Sequence, residues 1–379
     1  MKSKTIVLVI ILIFVIAAIY TLEQSKVAII DEEMPVSEKV NGLEEAGKES
    51  ASVQEQPLIK DGKYPLAPEL VGITGYINTE EGLQIKDFRG KVVLIDFWTY
   101  SCINCIRTLP HLTAWDKKYK DKGLVIIGVH TPEFEFEKDT ENVKNAMEKY
   151  GIEYKVVQDN NYQTWRAFKN RFWPHKYLID SEGYIRYDHI GEGKYEETEK
   201  VIQELLAEID QDVEGMPLTG VEDTTPFVLT TPELYAGYGF ALPRGQNIGN
   251  KEGLQPGKEI NYPLPAEIKE DIIYVEGLWK SNEDNLEAKG TSSILLNFIA
   301  NDVNIVADNL DKSVEVEIFV NEKYITKEQA GKDVQFKEGR SFIIINEPRL
   351  YNVVDGEYGR YTLKLTTDEG FTFHAFTFG

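Results

Sequence analysis

The sequence has few cysteines and no paired histidines. Only two cysteines occur among 379 residues, and two residues separate them. A secreted scaffold held together by disulfides would carry more cysteines at wider spacing. A structural zinc site needs about four ligands, and the five histidines form no closely spaced pair: His111, His130, His175, His189 and His374. We therefore expect no disulfide framework, no bound metal and no cofactor.

Basic residues are too few and too scattered to bind nucleic acid. The chain has 41 Lys and Arg against 63 Asp and Glu, a formal net charge of -22. Phosphate binding requires basic side chains clustered on one face. The excess of acidic residues instead favours solubility through self-repulsion. The sequence therefore excludes nucleic acid as the main partner.

A long apolar run occurs at the N-terminus. Lys2 and Lys4 precede residues 5–22, which carry no charge. At 1.5 Å per residue, about 18 residues are just enough to span a bilayer. The basic flank predicts a cytosolic N-terminus. A cleaved signal peptide is the alternative, but it usually has a shorter apolar region and an A-x-A-like site. We predict that residues 1–22 anchor a single-pass protein of the cell membrane whose bulk is extracytoplasmic.

Residues 23–63 contain no Phe, Tyr or Trp and are rich in Glu, Ser, Gln, Lys and Gly. Such a composition buries too little apolar surface to offset the entropy of ordering. We interpret this segment as a flexible acidic linker. A flexible chain of about 40 residues spans roughly 35 Å, which would hold a folded domain near the membrane.

Residues 64–210 alternate strand and helix patterns. The run 91–97 is almost wholly apolar, as in a central strand buried on both faces. The other predicted strands are 73–77 and 83–85 (as a hairpin), 124–129, 154–157, 176–179 and 184–189, and the predicted helices are 102–120, 140–150, 162–168 and 195–209. This order predicts an α/β domain with a mixed sheet and helices on both faces.

Residues 211–230 contain Pro217, Gly220 and Pro226, and we interpret them as a linker. In residues 231–379 short strand patterns alternate with turn residues, and helix signals almost vanish. The predicted strands are 293–299, 304–307, 314–320, 334–336, 341–345, 360–366 and 372–378. Regular spacing of this kind predicts an all-β sandwich.

Cys102 and Cys105 form a C-x-x-C motif at the predicted start of a helix. The unpaired N–H groups and the dipole at a helix N-terminus favour a thiolate, and the thiolate is the nucleophile in disulfide exchange. The motif therefore predicts that Cys102 attacks and that Cys105, deeper in the helix, resolves the mixed disulfide. A static disulfide or a pair of buried thiols is the alternative.

The surroundings of the motif resemble the thioredoxin superfamily, on the stretch Ile95–Cys102 and on Trp173–Pro174. The resemblance implies that Asp96 is a buried acid that exchanges a proton with Cys105. It implies a substrate-binding role for Trp98, with core packing as the alternative, and for Trp173 and Pro174. It also implies that Pro174 is a cis-proline beside which an extended substrate chain pairs.

The resemblance extends to DipZ-type proteins along residues 70–379, on six stretches: Trp98–Pro110, Gly128–Phe134, Thr231–Tyr238, Gly277–Trp279, Arg349–Tyr351 and Phe376–Gly379. In that family a thioredoxin-like domain precedes a β-sandwich similar to carbohydrate-binding modules. The resemblance implies a thiol–disulfide oxidoreductase acting on protein thiols and disulfides. DipZ proteins also carry a multi-helix electron-transfer domain of the CcdA type. This chain shows a single apolar span in its place, so we expect a separate CcdA-like membrane protein as electron donor.

Three alternatives remain open. Thr99 and Cys102 form the T-x-x-C of peroxidases, although a proline expected four residues before the Thr is Ile95 here. The haem-maturation branch of the family commonly has a glutamate where this chain has Thr108. A binding protein that contacts glycans or the cell envelope through its β-domain would need exposed aromatic side chains. The candidates for these are Tyr235, Tyr238, Trp279 and Tyr351.

Overall fold

The computed structural model describes residues 58–213 and 215–379. The predicted membrane anchor and most of the predicted linker 23–63 therefore lie outside the described residues. In the two described ranges, no helix combines the length and apolar character that crossing a bilayer requires. Within the described residues, the first strand lies inside the predicted linker, where Ile59–Lys60 (β1) pairs with Tyr64–Pro65 (β2). Lys60 Nζ contacts Glu182 Oε1 at 2.7 Å, and this long-range ion pair was not visible in the local composition.

A six-stranded mixed sheet forms the centre of the first domain. Its strands are β3 (Gly75–Ile77), β4 (Val92–Trp98), β5 (Leu124–His130), β6 (Lys155–Gln158), β7 (His175–Ile179) and β8 (Ile185–Ile190). Their order is β3-β6-β5-β4-β7-β8. The pairs β4–β5 and β5–β6 are parallel, and the others are antiparallel. Every residue of β4 is buried, as its continuous apolar run predicts.

Helices cover both faces of this sheet. They are α1 (Ile103–Tyr119), α2 (Thr140–Tyr150), α3 (Gln163–Ala167) and α4 (Tyr195–Ala207). Residues of α1, α2 and α4 join one hydrophobic core, whereas Phe168, directly after α3, joins the core on the other face. The prediction of an α/β domain with a mixed sheet is confirmed.

The predicted hairpin of residues 73–85 is wrong. β3 pairs with β6 instead, and Ile85–Phe88 forms a 3-10 turn. Two carboxylates stabilise that turn: Glu69 accepts the backbone N–H of Ile85 at 2.7 Å, and Asp87 accepts that of Gln84 at 2.9 Å. The hydrogen bonds to these carboxylates stabilise the 3-10 turn, and the edge of β6 provides a pairing partner for β3. Together they outweigh the weak strand pattern of residues 83–85, which favours a hairpin.

The second domain is rich in β-structure, as predicted. Its strands form one hydrogen-bonded network of 11: β9 (Leu234–Tyr235), β10 (Glu259–Tyr262), β11 (Tyr274–Ser281), β12 (Leu286–Ala288), β13 (Ser292–Asn309), β14 (Val314–Val320), β15 (Lys323–Tyr324), β16 (Gln335–Lys337), β17 (Arg340–Ile345), β18 (Arg349–Thr367) and β19 (Phe371–Phe378). A short helix, α5 (Tyr238–Ala241), follows β9. The predicted strand 304–307 is part of β13, because a register shift near Ala300 bends the strand without ending it.

The loop after β5 inserts into the core of the β-rich domain. Phe134 is 2% exposed and belongs to that core. Its ring centroid lies 5.0 Å from that of His374 and 5.5 Å from that of Phe240. In the predicted linker, Thr219 donates its N–H and its hydroxyl to Glu199 of α4. The two domains are therefore packed together, and part of the segment between them is fastened to the first.

Candidate active site

Cys102 lies at the N-cap of α1, directly after the loop that follows β4. Its backbone is extended (φ -79°, ψ 116°), and its Sγ accepts the backbone N–H of Cys105 at 3.3 Å. Cys102 is partly exposed, whereas Cys105 is 1% exposed. The sulfur of Cys102 therefore faces the helix N–H groups that stabilise a thiolate.

Cys105 is shielded from solvent and needs help to ionise. Burial raises the pKa of its thiol, and the neighbouring Cys102 raises the pKa further. Both cysteines are unbonded thiols, so the geometry is that of the reduced form. A base must accept the Cys105 proton before this sulfur can attack.

Asp96, in the middle of β4, is the buried acid that the sequence predicts. It is 1% exposed, and neither carboxyl oxygen has a hydrogen-bond partner among the described residues. Burial raises the pKa of Asp96 to about 7, and the positive charge of Lys176 opposes part of that rise. The carboxyl can therefore gain or lose a proton near neutral pH.

Lys176 is a buried cation that the sequence analysis missed. It is 0% exposed, it lies opposite Asp96 in the β4–β7 pairing, and its Nζ donates to the carbonyl of Gly191 at 3.0 Å. Burial lowers its pKa, while attraction to Asp96 and Cys105 opposes that fall. The sequence did contain a signal for this residue: a lysine stands inside a predicted buried strand. Lysine is almost never fully buried unless it is paired, so its presence there indicates a partner.

Glu137 is a second missed residue, and it connects two loops at the site. Its Oε1 accepts the Ser101 hydroxyl at 2.5 Å, and its Oε2 accepts the backbone N–H of Phe134 at 2.9 Å. The side chain is fully buried; burial raises its pKa, and the bond from Ser101 opposes the rise. Glu137 thus holds the residue before Cys102 against the loop that inserts into the β-rich domain.

The Trp173–Pro174 peptide bond is cis, as the resemblance implies. Trp173 is half-buried, and its Nε1 donates to the carbonyl of Thr131 at 3.0 Å. Its ring centroid lies 4.3 Å from that of Trp165. The side chain is thus fixed in place, with part of its surface free; a substrate contact by Trp173 and Pro174 stays a prediction.

Trp98 does not lie where a substrate could touch it. Its side chain is 0% exposed, and its ring packs edge-on against His130 at a centroid distance of 5.2 Å. The proposed substrate-binding role of Trp98 is corrected to core packing. Side chains two residues apart in a strand point to the same face. Trp98 therefore lies on the same covered face of β4 as Asp96.

The aromatic candidates of the β-rich domain are mostly core residues. Tyr235 is 6% exposed, and Trp279 and Tyr351 are 0% exposed. Tyr238 is half-buried and packs beside the same core. Stacking on a sugar ring needs an exposed face, so three of the four candidates are unsuited to it.

Three features define the class of this protein: a dithiol at the N-terminus of the helix after the central strand of a mixed sheet, a buried carboxyl in that strand, and a cis-proline directly before β7. A model of the AhpC/TSA family matches residues 69–188, and a model of the thioredoxin-like C-terminal domain matches residues 231–379. DipZ of Mycobacterium bovis is 36% identical over 320 residues, covering 83% of this chain and 43% of DipZ.

Two further relatives match shorter stretches of the chain. ResA of Bacillus thuringiensis, a thiol–disulfide oxidoreductase, is 30% identical over 127 residues, which are 34% of this chain and 68% of ResA. YkuV of Bacillus subtilis, also a thiol–disulfide oxidoreductase, is 29% identical over 143 residues, which are 38% of this chain and 95% of YkuV. The chain belongs to the thioredoxin-like thiol–disulfide oxidoreductases, and across both domains it is similar to DipZ. It spans less than half the length of DipZ.

Proposed function

We propose that this chain exchanges disulfides with protein substrates outside the cytoplasm, with Cys102 and Cys105 as the redox pair. The observation that carries the proposal is the partly exposed Sγ of Cys102 at the N-terminus of α1, above a buried Cys105 and Asp96. The similarity to ResA and YkuV supports the same reaction class. Whether the chain reduces or oxidises its substrates in the cell depends on its electron donor.

In the reductive direction, the Cys102 thiolate attacks one sulfur of a substrate disulfide. A mixed disulfide forms, and the first substrate sulfur leaves as a thiolate that takes a proton from solvent. Cys105 then gives its proton to Asp96 and attacks Cys102 Sγ. The second substrate thiolate leaves and is protonated by Asp96. Two electrons have moved from the dithiol to the substrate, and the chain is left with a Cys102–Cys105 disulfide.

The test is turnover of a protein disulfide with dithiothreitol as reductant. Cys102→Ser should abolish turnover, and Cys105→Ser should accumulate a mixed disulfide that releases on reduction. The Cys105→Ser variant is the matched control, because it retains the attacking sulfur. Turnover that survives in Cys102→Ser would contradict the assignment of the nucleophile.

Anchoring and electron supply belong to the same proposal. The apolar residues 5–22 would hold the chain in the cell membrane, facing outward, and a CcdA-like membrane protein would supply electrons. The β-rich domain would be a sandwich similar to carbohydrate-binding modules that contacts the envelope or supports the redox domain. Protease protection in intact cells, with and without residues 1–22, tests the anchoring. Exposure of the folded domains to cytosolic protease only would contradict it.

A peroxidase is the second candidate, because the AhpC/TSA family model matches residues 69–188. Thr99 would have to face the peroxide, yet it is 0% exposed and its Oγ1 lies 3.4 Å from His130 Nε2. Oxidation of the dithiol by hydrogen peroxide at a rate far above that of a free thiol would favour this candidate.

A further inference from the structure

Residues of both domains line a cleft beside the cysteines. The two residues after Cys102, Ile103 and Asn104, form one side of it, and residues 226–230 form part of the other. Its volume is about 270 Å³. Because Cys102 directly precedes Ile103, a substrate segment that lies along this cleft is beside the C-x-x-C motif. Residues 226–230, called the strap below, belong to the connection between the domains.

The strap has the form of an unpaired strand. Pro226, Val228 and Thr230 line the cleft, whereas Phe227 and Leu229 are 88% and 84% exposed. This alternation is the period of an extended chain. Within the described residues, no backbone N–H of 227–230 donates a hydrogen bond; the strap is fastened by Tyr358 Oη, which donates to the carbonyl of Leu229, and by Thr231 N–H, which donates to Ile299.

The charges of the cleft are balanced, which favours a partner segment without charged residues. Arg107 is neutralised by Glu192, which it contacts through Nε at 2.7 Å and Nη2 at 2.9 Å. Glu233, also lining the cleft, has no Lys or Arg partner among the described ion pairs and shares the Tyr235 hydroxyl with Glu133. Arg244 Nη2 lies 3.7 Å from Glu133 Oε1, and burial raises the pKa of Glu133 to about 8. Glu133 therefore keeps its proton at neutral pH, and Arg244 balances the charge of Glu233.

We propose that the strap is a docking edge for one kind of partner: an extended, cysteine-bearing segment of a non-native protein, apolar and without charged residues near its cysteine. The segment adds beside the strap as a β-strand, using the free N–H groups. Its inward side chains, the cysteine among them, enter the cleft toward Cys102. Its outward apolar side chains pack against Phe227 and Leu229 as cross-strand neighbours. The inference rests on the proposed function and names its substrate class.

The experiment compares two disulfides on the full reduced chain. One is hydroxyethyl disulfide, which is small and neutral. The other is a mixed disulfide of 2-mercaptoethanol with an eight-residue apolar peptide that holds one Cys. We expect Phe227→Asp and Leu229→Asp each to lower the ratio of kcat/KM for the peptide to kcat/KM for hydroxyethyl disulfide about tenfold. Leu264→Asp is the matched control, since Leu264 is 60% exposed on the same domain away from the cleft, and it should leave the ratio unchanged.

One further variant makes the outcome decisive. Val228→Pro, which removes one strap N–H, should lower the ratio as the Asp variants do. An unchanged ratio in the strap variants, or a strap variant that changes only the oligomeric state, would overturn the docking edge. Loss of Cys102-dependent reduction of hydroxyethyl disulfide in the unmodified chain would instead overturn the proposed function.

Discussion

Asp96→Asn should stabilise the reduced chain, and by an amount that depends on pH. The pKa of Asp96 rises from 3.8 to about 7 on folding, so ionisation is disfavoured in the folded state. Below pH 3.8 the carboxyl is protonated in both the folded and the unfolded state, so it does not lower the folding stability. Between pH 4 and 7 the unfolded state loses the proton first, and folding stability falls by about 1.4 kcal/mol per pH unit. Above pH 7 the loss of folding stability levels off at about 4 kcal/mol.

Asparagine has nearly the volume of aspartate and carries no charge, so it removes this cost. We expect a gain of about 4 kcal/mol at pH 8 and well under 1 kcal/mol at pH 4. The assay is urea unfolding in dithiothreitol, followed by tryptophan fluorescence, at pH 4, 6 and 8. Asp121→Asn, at an exposed position, is the control and should change stability little at each pH. A gain of equal size at pH 4 and pH 8 would refute the account of Asp96.

The same substitution should slow the resolving step. The amide introduced by Asp96→Asn could not accept the Cys105 proton, and general-base assistance of this kind contributes about 10²-fold or more. Single-turnover release of the second substrate thiol measures the step directly. Turnover that is unchanged across pH 6 to 9 would remove Asp96 from the mechanism.

The other predictions concern access, loop geometry and the domain contact. Cys102 should be alkylated before Cys105 at neutral pH, since Cys105 is buried and its pKa is raised; peptide mass spectrometry decides, and faster labelling of Cys105 would reverse the assignment. Glu137→Gln should slow attack by Cys102 and cost about 1–3 kcal/mol of stability, because a buried acceptor is lost; stopped-flow kinetics and urea unfolding measure both, and an unchanged rate would make the role purely structural. Phe134→Ala should cost about 3–5 kcal/mol of stability, and truncation after Gln211 should aggregate the redox domain by exposing Phe134. A soluble truncation that still reduces a small disulfide would instead favour a targeting role for the β-rich domain.

Local patterns predicted the elements that depend on short-range physics. The apolar run of β4, the helix that begins at the C-x-x-C motif and the turn-punctuated strands of the second domain all follow from periodicity and capping. The hairpin of residues 73–85 failed because the partner of β3 lies about 80 residues away, in β6. The length of β13 was also missed, since a bulge and a turn look alike in a single sequence.

The sequence by itself predicted the candidate site: two cysteines at helical spacing, with Asp96 and Trp173–Pro174 in matching positions. Tertiary structure alone decided what surrounds them. Lys176 lies opposite Asp96 only because β7 pairs antiparallel with β4, and Glu137 reaches Ser101 only because the loop after β5 folds back over the site. The cleft beside Cys102 likewise exists only where the strap passes α1. Such contacts join residues far apart in the chain, and no local pattern encodes the register that brings them together.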